Sequence, residues 1–372
     1  MATKLKLMTI VGTRPELIKM SEIIKLSDQC FDHVLVHSGQ NYDYELNKIF
    51  FEDLSLREPD YYLNVVGDDL GETIGNVISH SYSLMMKVRP DAVIVLGDTN
   101  SCLSVISAKR LKIPVFHLEA GNRCFDENLP EEVNRRIVDT TSDINLCYSE
   151  HARRYLLSMG CSPDRVFCIG SPMREVLNVH QQKIERCTII NQLNLNRGEY
   201  LLLSAHREEN IDNENNFKQM VNAINALADE YGMPILYSLH PRAKKFIERR
   251  STIFHPLVKS HKPFGFTEYV NLQTNAFCVV SDSGTLAEES SLLGFPAVSL
   301  RTSTERPEVV DAGTFTLGML NADKLIQAVQ MEVALKNKRT LVIDYRDENV
   351  SQKVVKIIQG YTEYINSRVW RK

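Results

Sequence analysis

The sequence predicts an α/β protein of two doubly wound, Rossmann-like domains facing a cleft. Three observations point there. Short runs rich in Val, Ile and Leu recur without the alternation of a half-exposed strand, which marks strands of a parallel sheet covered on both faces. Longer stretches with helical spacing separate these runs. The pattern stops in a polar stretch near residues 178–199 and then restarts, and 372 residues are enough for two domains of about 100–200 residues each.

In the first half the strands read "LKLMTIVG", "HVLVHSG", "AVIVLGD", "VFHLEAG", "INLCYS" and "VFCIGSP". Helices lie between them at "ELIKMSEIIKLS", "TIGNVISHSYSLMMKV" and "SVISAKRLK". The second half repeats the scheme with "YLLLSAH", "PILYSLH", "FCVVSDSG" and "PAVSLR", with "NFKQMVNAINALADEYG" as an intervening helix. We place the domains at 1–172 and 173–355, joined near "IGSPM", and read the closing "SQKVVKIIQGYTEYINSRVW" as one long helix. No low-complexity segment or short repeat interrupts the chain.

Composition narrows the function classes. The net charge is −4 and the basic residues are dispersed among acids, so no nucleic-acid surface is expected. The chain opens on a strand with no secretory signal, and no apolar run is long enough to span a bilayer, so a cytoplasmic protein with no membrane partner is expected. Eight cysteines are scattered without a C-x-x-C pair, which reads as reduced thiols, not a disulfide framework or zinc site. Ten histidines lack ligand spacing, so no metal is expected.

The candidate chemistry sits where strands end. "GTRPELIK" follows the first strand and opens the first helix: Gly12 permits a tight turn, Pro15 suits the first helical turn, and Arg14 and Lys19 add positive charge where free N–H groups attract anions. "GDTNS" puts Asp98 at the sheet's carboxyl edge, where ligands of such sheets bind. Asp98 also has an ordinary reading, as the cap of the next helix. "HLEAGNRCFDENLPEEVNRR" brings Glu119 to the same edge and Glu131 to a helix start, with Glu132 read as a helix-start acid. Three carboxylates at one crevice should repel one another and raise at least one pKa, which suits proton transfer near neutral pH. In the second half "SAHREEN" and "SLHPR" deliver His206, Arg207 and His240 to strand ends. "SDSGTLAEES" delivers Ser283 and Gly284 to a helix N-terminus able to cradle a diphosphate, with Glu288 and Glu289 one turn on for ribose hydroxyls. "TSTERPE" adds Arg306.

Together "GTRPELIKM", "LGDTNS", "HLEAGNR", "PEEVNRR", "SAHREEN", "SDSG" with "EES", and "TERPE" resemble the non-hydrolysing UDP-N-acetylglucosamine 2-epimerase family, in order from about residue 8 to about residue 310. The resemblance implies the two-domain glycosyltransferase-B architecture, with the last helix (about 356–372) packing back on the first domain. It implies Asp98, Glu119, Glu131 and His206 as the catalytic group. Arg14, Lys19, Arg135, His240, Tyr269, Ser283, Gly284, Glu289 and Arg306 fall on nucleotide- or sugar-binding positions. The implied chemistry is elimination of UDP to a 2-acetamidoglycal and re-addition with protonation on the opposite face of C2. It needs no cofactor and no metal, and the first strand is followed by no G-x-G-x-x-G. A UDP-sugar substrate and a homodimer are the expected partners.

The chain also departs from the common members. "CFDENL" is short where they carry a longer loop, "DSGT" replaces a double glycine, and "AHRE" stands for "GHRR". "RCFDENLPEEVNRRIVD", "GSPMREVL" and "SAHREEN" are similar to a capsule and O-antigen branch that converts UDP-2-acetamido-2,6-dideoxy-L-talose to UDP-N-acetyl-L-fucosamine. Asn41 and Tyr42 stand where many bacterial relatives have His-Arg at an activator site, which leaves substrate-activated allostery open. The alternatives are UDP-GlcNAc/UDP-ManNAc epimerisation, a UDP-sugar glycosyltransferase, a hydrolysing epimerase and a catalytically silent nucleotide-sugar sensor.

Overall fold

The computed structural model describes residues 3–39, 44–301, 303–336 and 340–372. Thirteen strands form among them: β1 (Lys6–Val11), β2 (Asp32–His37), β3 (Tyr61–Tyr62), β4 (Ala92–Leu96), β5 (Val115–Leu118), β6 (Ile144–Cys147), β7 (Val166–Cys168), β8 (Leu201–Ser204), β9 (Ile235–Ser238), β10 (Val258–His261), β11 (Cys278–Ser281), β12 (Ala297–Ser299) and β13 (Thr316–Leu317). They make two sheets, ordered β3-β2-β1-β4-β5-β6-β7 and β10-β9-β8-β11-β12-β13, and every pairing is parallel. Each sheet grows outward in both directions from a central pair, β1/β4 in one and β8/β11 in the other. That is the doubly wound order, and its switch point is where ligands of such sheets bind.

The apolar runs form strands because both faces are covered. All five residues of β4 are buried. On one face of the first sheet Met8, Val36, Val93 and Val115 pack with Val77, Leu84, Val105 and Val138 from helices. In the second sheet Leu201, Tyr237 and Val280 pack with Met220, Ile224, Leu227, Leu325 and Val329. The edge strands β3, β10 and β13 lack such a run. "VKSH" of β10 is half or fully exposed throughout, and so carried no buried-strand signal.

Two compact units emerge, residues 1–179 with 344–372, and residues 180–343. The first unit runs past 172 because the start of the Met173–Glu185 helix is tied to the returning chain. Arg174 Nε donates to Glu348 at 2.9 Å, and Ser351 N–H donates to Glu175 at 2.8 Å. The Val350–Ile365 helix then packs along the Arg14–Cys30 helix within the same unit.

Candidate active site

In the first unit the carboxyl ends of β1, β4 and β5 gather the predicted residues. Gly12 follows β1, and a Cβ there would lie 2.0 Å from Ser101 Oγ and 2.2 Å from Ser38 Oγ. The glycine is required by close approach, not by a turn of positive φ. Arg14 opens the helix with its guanidinium 5.4 Å from the Phe50 ring centre. One turn on, buried Lys19 forms an ion pair with Glu119, and its Nζ lies 5.6 Å from the centre of the Tyr148 ring.

Glu119 is held in the left-handed region at φ 59°, a conformation uncommon for a residue with a Cβ and often found at functional sites. Arg135 supplies the clamp. From the Pro130–Thr141 helix its Nη1 donates to the Glu119 carbonyl at 2.5 Å, and its Nη2 reaches Glu119 Oε1 at 3.3 Å and pairs with Asp98. Asp98 is one residue before the N-cap position of the following 3-10 turn, which Thr99 occupies. The Asp98 carbonyl accepts from Asn134 Nδ2 at 3.0 Å. Glu131 is half-buried in the first turn of the same helix, four residues before Arg135 and so on the same face. Mutual repulsion among the three acids was the expectation. The structure interposes Arg135 between Asp98 and Glu119 and adds Lys19, so opposite charge sets the local field.

Three further acids matter that strand-end reasoning missed. Glu16 is buried and accepts from Gly12 N–H at 2.7 Å, Thr13 N–H at 2.6 Å and Thr99 Oγ1 at 2.8 Å. It joins the β1 turn to the Asp98 turn. Burial pushes its carboxyl up to about 7, against the lowering effect of those hydrogen bonds. The spacing Thr13-x-x-Glu16 is that of a capping box and was a visible signal. Glu132 is buried rather than solvent-facing: it accepts from Cys124 N–H at 3.0 Å and Arg136 Nε at 2.8 Å, tethering the short 123–129 loop. Asp139, one turn beyond Arg135, accepts from Arg123 at 2.6 Å.

In the second unit β8, β9 and β11 bring His206, His240, Ser283 and Gly284 to one edge. The His206 and His240 rings stack with centres 5.1 Å apart. His240 Nδ1 also caps the Pro241–Arg249 helix, accepting from Arg242 N–H at 3.2 Å. Buried Asp282 organises the His206 loop: it accepts from His206 N–H at 2.9 Å, Arg207 N–H at 2.9 Å and Asn210 Nδ2 at 3.0 Å. Nothing local to "SDSG" marks this role, because the partners lie more than seventy positions away.

The turn at Ser283–Gly284 leads into the Leu286–Leu293 helix. Ser283 N–H donates to Ser281 Oγ at 3.0 Å. Arg306 is buried; its Nε donates to the Gly284 carbonyl at 3.2 Å, and its Nη2 lies 3.0 Å from buried Glu288. Glu288 is therefore the ion partner of Arg306 and braces the turn from within. Glu289 accepts from Gln273 Nε2 at 2.6 Å. Tyr269 hydrogen-bonds Ser204 and Ser281 close to Glu289, and burial raises its phenol above the ordinary range. The activator-site positions Asn41 and Tyr42 lie outside the described residues.

Two parallel-sheet units, one carrying clamped strand-end acids and the other a strand-to-helix turn braced by arginine, have the glycosyltransferase-B-like architecture of nucleotide-sugar enzymes. The structure of Phytolacca americana UGT2 complexed with UDP-2fluoro-glucose and pterostilbene superimposes with a TM-score of 0.54 at 12% identity, covering 98% of this chain and 95% of that one, a likeness of fold alone. A family model described as UDP-N-acetylglucosamine 2-epimerase matches residues 25–359. The Methanocaldococcus jannaschii UDP-N-acetylglucosamine 2-epimerase is 35% identical over 95% of this chain and 99% of its own. A Rickettsia bellii structure described as UDP-N-acetylglucosamine 2-epimerase has a TM-score of 0.92 at 46% identity, covering 99% of this chain and all of that one. The chain belongs to the UDP-N-acetylglucosamine 2-epimerase family and is an epimerase. Among the described residues no helix is long and apolar enough to cross a membrane.

Proposed function

We propose that this chain interconverts the C2 epimers of a UDP-2-acetamido sugar through a 2-acetamidoglycal. The C2 hydrogen is not next to a carbonyl, so abstraction alone leaves an unstabilised carbanion. Elimination avoids this: C2–H and C1–O break, the C1=C2 bond forms, and UDP leaves with the electron pair. Re-addition of UDP with protonation on the other face gives the epimer. The reaction needs a base, an acid and a cationic cradle for the departing diphosphate.

The observation that carries this reading is the pair of strand-end acids, Asp98 and Glu119, held by Arg135 and Lys19. We assign proton transfer to Asp98, Glu119 and Glu131, with His206 at the leaving diphosphate. Arg14, the Ser283–Gly284 turn braced by Arg306, and His240 serve the phosphates. Tyr269 and Glu289 serve the nucleoside. Lys19 and Arg135 contribute by holding the acids.

For the substrate we propose UDP-2-acetamido-2,6-dideoxy-L-talose, giving UDP-N-acetyl-L-fucosamine. The support is the short 124–129 loop, pinned by Glu132 and placed between two assigned acids. Its Leu129 is buried, while Phe125 is 63% exposed and edge-on to Tyr155, with ring centres 5.3 Å apart. Phe125 is thus the better placed of the two for an apolar contact with a 6-deoxy position. UDP-GlcNAc/UDP-ManNAc interconversion is the second reading, favoured by the M. jannaschii structure described as a complex with UDP-GlcNAc and UDP.

One experiment separates the readings. Purified protein is incubated in D2O with each UDP-sugar pair and no acceptor, and followed by NMR. The proposal expects isomerisation with deuterium at C2, fastest for the 6-deoxy pair by kcat/KM. Faster turnover of the UDP-GlcNAc pair moves the substrate to the second reading. Free sugar plus UDP would mean hydrolysis, and no change without an acceptor would point to a transferase.

A further inference from the structure

Beneath Glu119 lies a buried pair that the proposed proton-transfer set does not use. His117, on β5 and fully buried, stands between two acceptors: its Nε2 is 2.7 Å from the Gly97 carbonyl, and its Nδ1 is 2.9 Å from Asp139. Gly97 immediately precedes Asp98. Asp139 also accepts from Gly121 N–H at 3.2 Å on each oxygen and from Arg123 at 2.6 Å. Burial alone would raise Asp139, but His117, Arg123 and Arg135 hold it below the ordinary carboxylate range.

The Pro130–Thr141 helix thus grips the β5 exit at two successive turns. Arg135 holds Glu119 by its carbonyl and carboxylate, and Asp139 holds Gly121 N–H two residues on. The gripped segment needs holding at Glu119, a residue with a Cβ at φ 59°. Such a backbone persists only where its surroundings over-determine it. His117 links the two grips by tying the Gly97 turn to Asp139. Displacement of a reacting group by about 1 Å costs on the order of 10²-fold in rate.

We propose that His117 and Asp139 are positioning residues that set the placement of Asp98 relative to Glu119, His117 through the Gly97 carbonyl and Asp139 through Gly121. The inference rests on the assignment of Asp98 and Glu119 to proton transfer.

The test uses the full chain and the UDP-sugar pair it turns over best. His117→Ala, His117→Gln, His117→Asn and Glu119→Gln are compared by kcat, KM, UDP affinity and Trp370 fluorescence. Gln presents an N–H near the former Nε2, toward Gly97; Asn presents one near the former Nδ1, toward Asp139. We expect His117→Ala to lower kcat by about 10²-fold with KM and UDP affinity within about threefold, and His117→Gln to recover at least about tenfold of the loss. His117→Asn should recover little. If His117→Ala does not fold, the Gln–Asn comparison carries the test, and equal kcat in those two overturns the proposal. Normal kcat in folded His117→Ala, with Glu119→Gln inactive, also overturns it. Normal turnover in Glu119→Gln overturns the assignment beneath it instead.

Discussion

Replacing Glu16 by Gln should change how the first unit responds to pH. Glu16 is 1% exposed, and burial carries its carboxyl from 4.5 to about 7. Between those values the folded chain keeps a proton that the unfolded chain has released. Stability from this group is therefore full below about pH 4.5 and declines as pH rises, being lost above about pH 7. The whole displacement corresponds to about 3 kcal/mol, and the part falling between about pH 5.5 and pH 8.5 to about 2 kcal/mol. Gln reproduces the protonated acid, with its carbonyl toward the Gly12 and Thr13 N–H groups and its amide toward Thr99. The single tryptophan, Trp370, belongs to this unit and stands 5.0 Å from Lys109, so its fluorescence reports on the unit's unfolding. In urea titrations the margin of the Glu16→Gln variant over the natural chain should widen by about 2 kcal/mol between about pH 5.5 and pH 8.5. Taking the difference between the two proteins cancels other titrations. Parallel stability curves across that range would refute the reasoning.

Asp98→Asn, Glu119→Gln and Glu131→Gln should each lower kcat by about 10²-fold or more, with UDP affinity changing less than in Arg14→Ala or Arg306→Ala; near-normal turnover in all three would remove the assigned set. Gly12→Ala forces a Cβ against two buried serine hydroxyls and should cost about 1–3 kcal/mol, with Ser101→Gly recovering part of it in the same fluorescence assay. Arg306→Ala strips buried Glu288 of this cation and should destabilise the second unit by about 3–5 kcal/mol. Hydrogen exchange across residues 286–293 reads that effect, and unchanged protection there would show that the ion pair does not brace the turn.

Much of this arrangement was legible because a parallel sheet restricts where chemistry can sit. Once "AVIVLGD" and "VFHLEAG" are read as adjacent buried strands, Asp98 and Glu119 must emerge at the same edge, however far apart they stand in sequence. The same logic placed His206, His240 and Ser283 together. Strand ends are local signals, written in an apolar run that stops. Two-residue β3 and β13 and the exposed β10 have no such run, and were invisible for that reason.

What the sequence hid is which helix residue meets which strand end. Arg135 and Lys19 carry the right charge for a sugar phosphate, yet both face protein acids, because burying Glu119 without a partner would leave an uncompensated charge at a cost of about 3–5 kcal/mol. That demand arises only once Glu119 is known to be buried at positive φ, and neither fact is local. Asp282 and Asp139 show the same limit from the acid side. Each satisfies backbone N–H groups on a distant turn, Asp282 at His206 and Arg207, Asp139 at Gly121. A turn leaving a parallel strand exposes N–H groups the ladder no longer uses, and buried N–H groups must be satisfied. An acid one layer below a strand-end site is therefore to be expected on physical grounds, even where its position along the chain is not. Glu16 completes the rule at β1, accepting from Gly12 and Thr13. Glu16, Asp139 and Asp282 thus hold the turns that leave β1, β5 and β8.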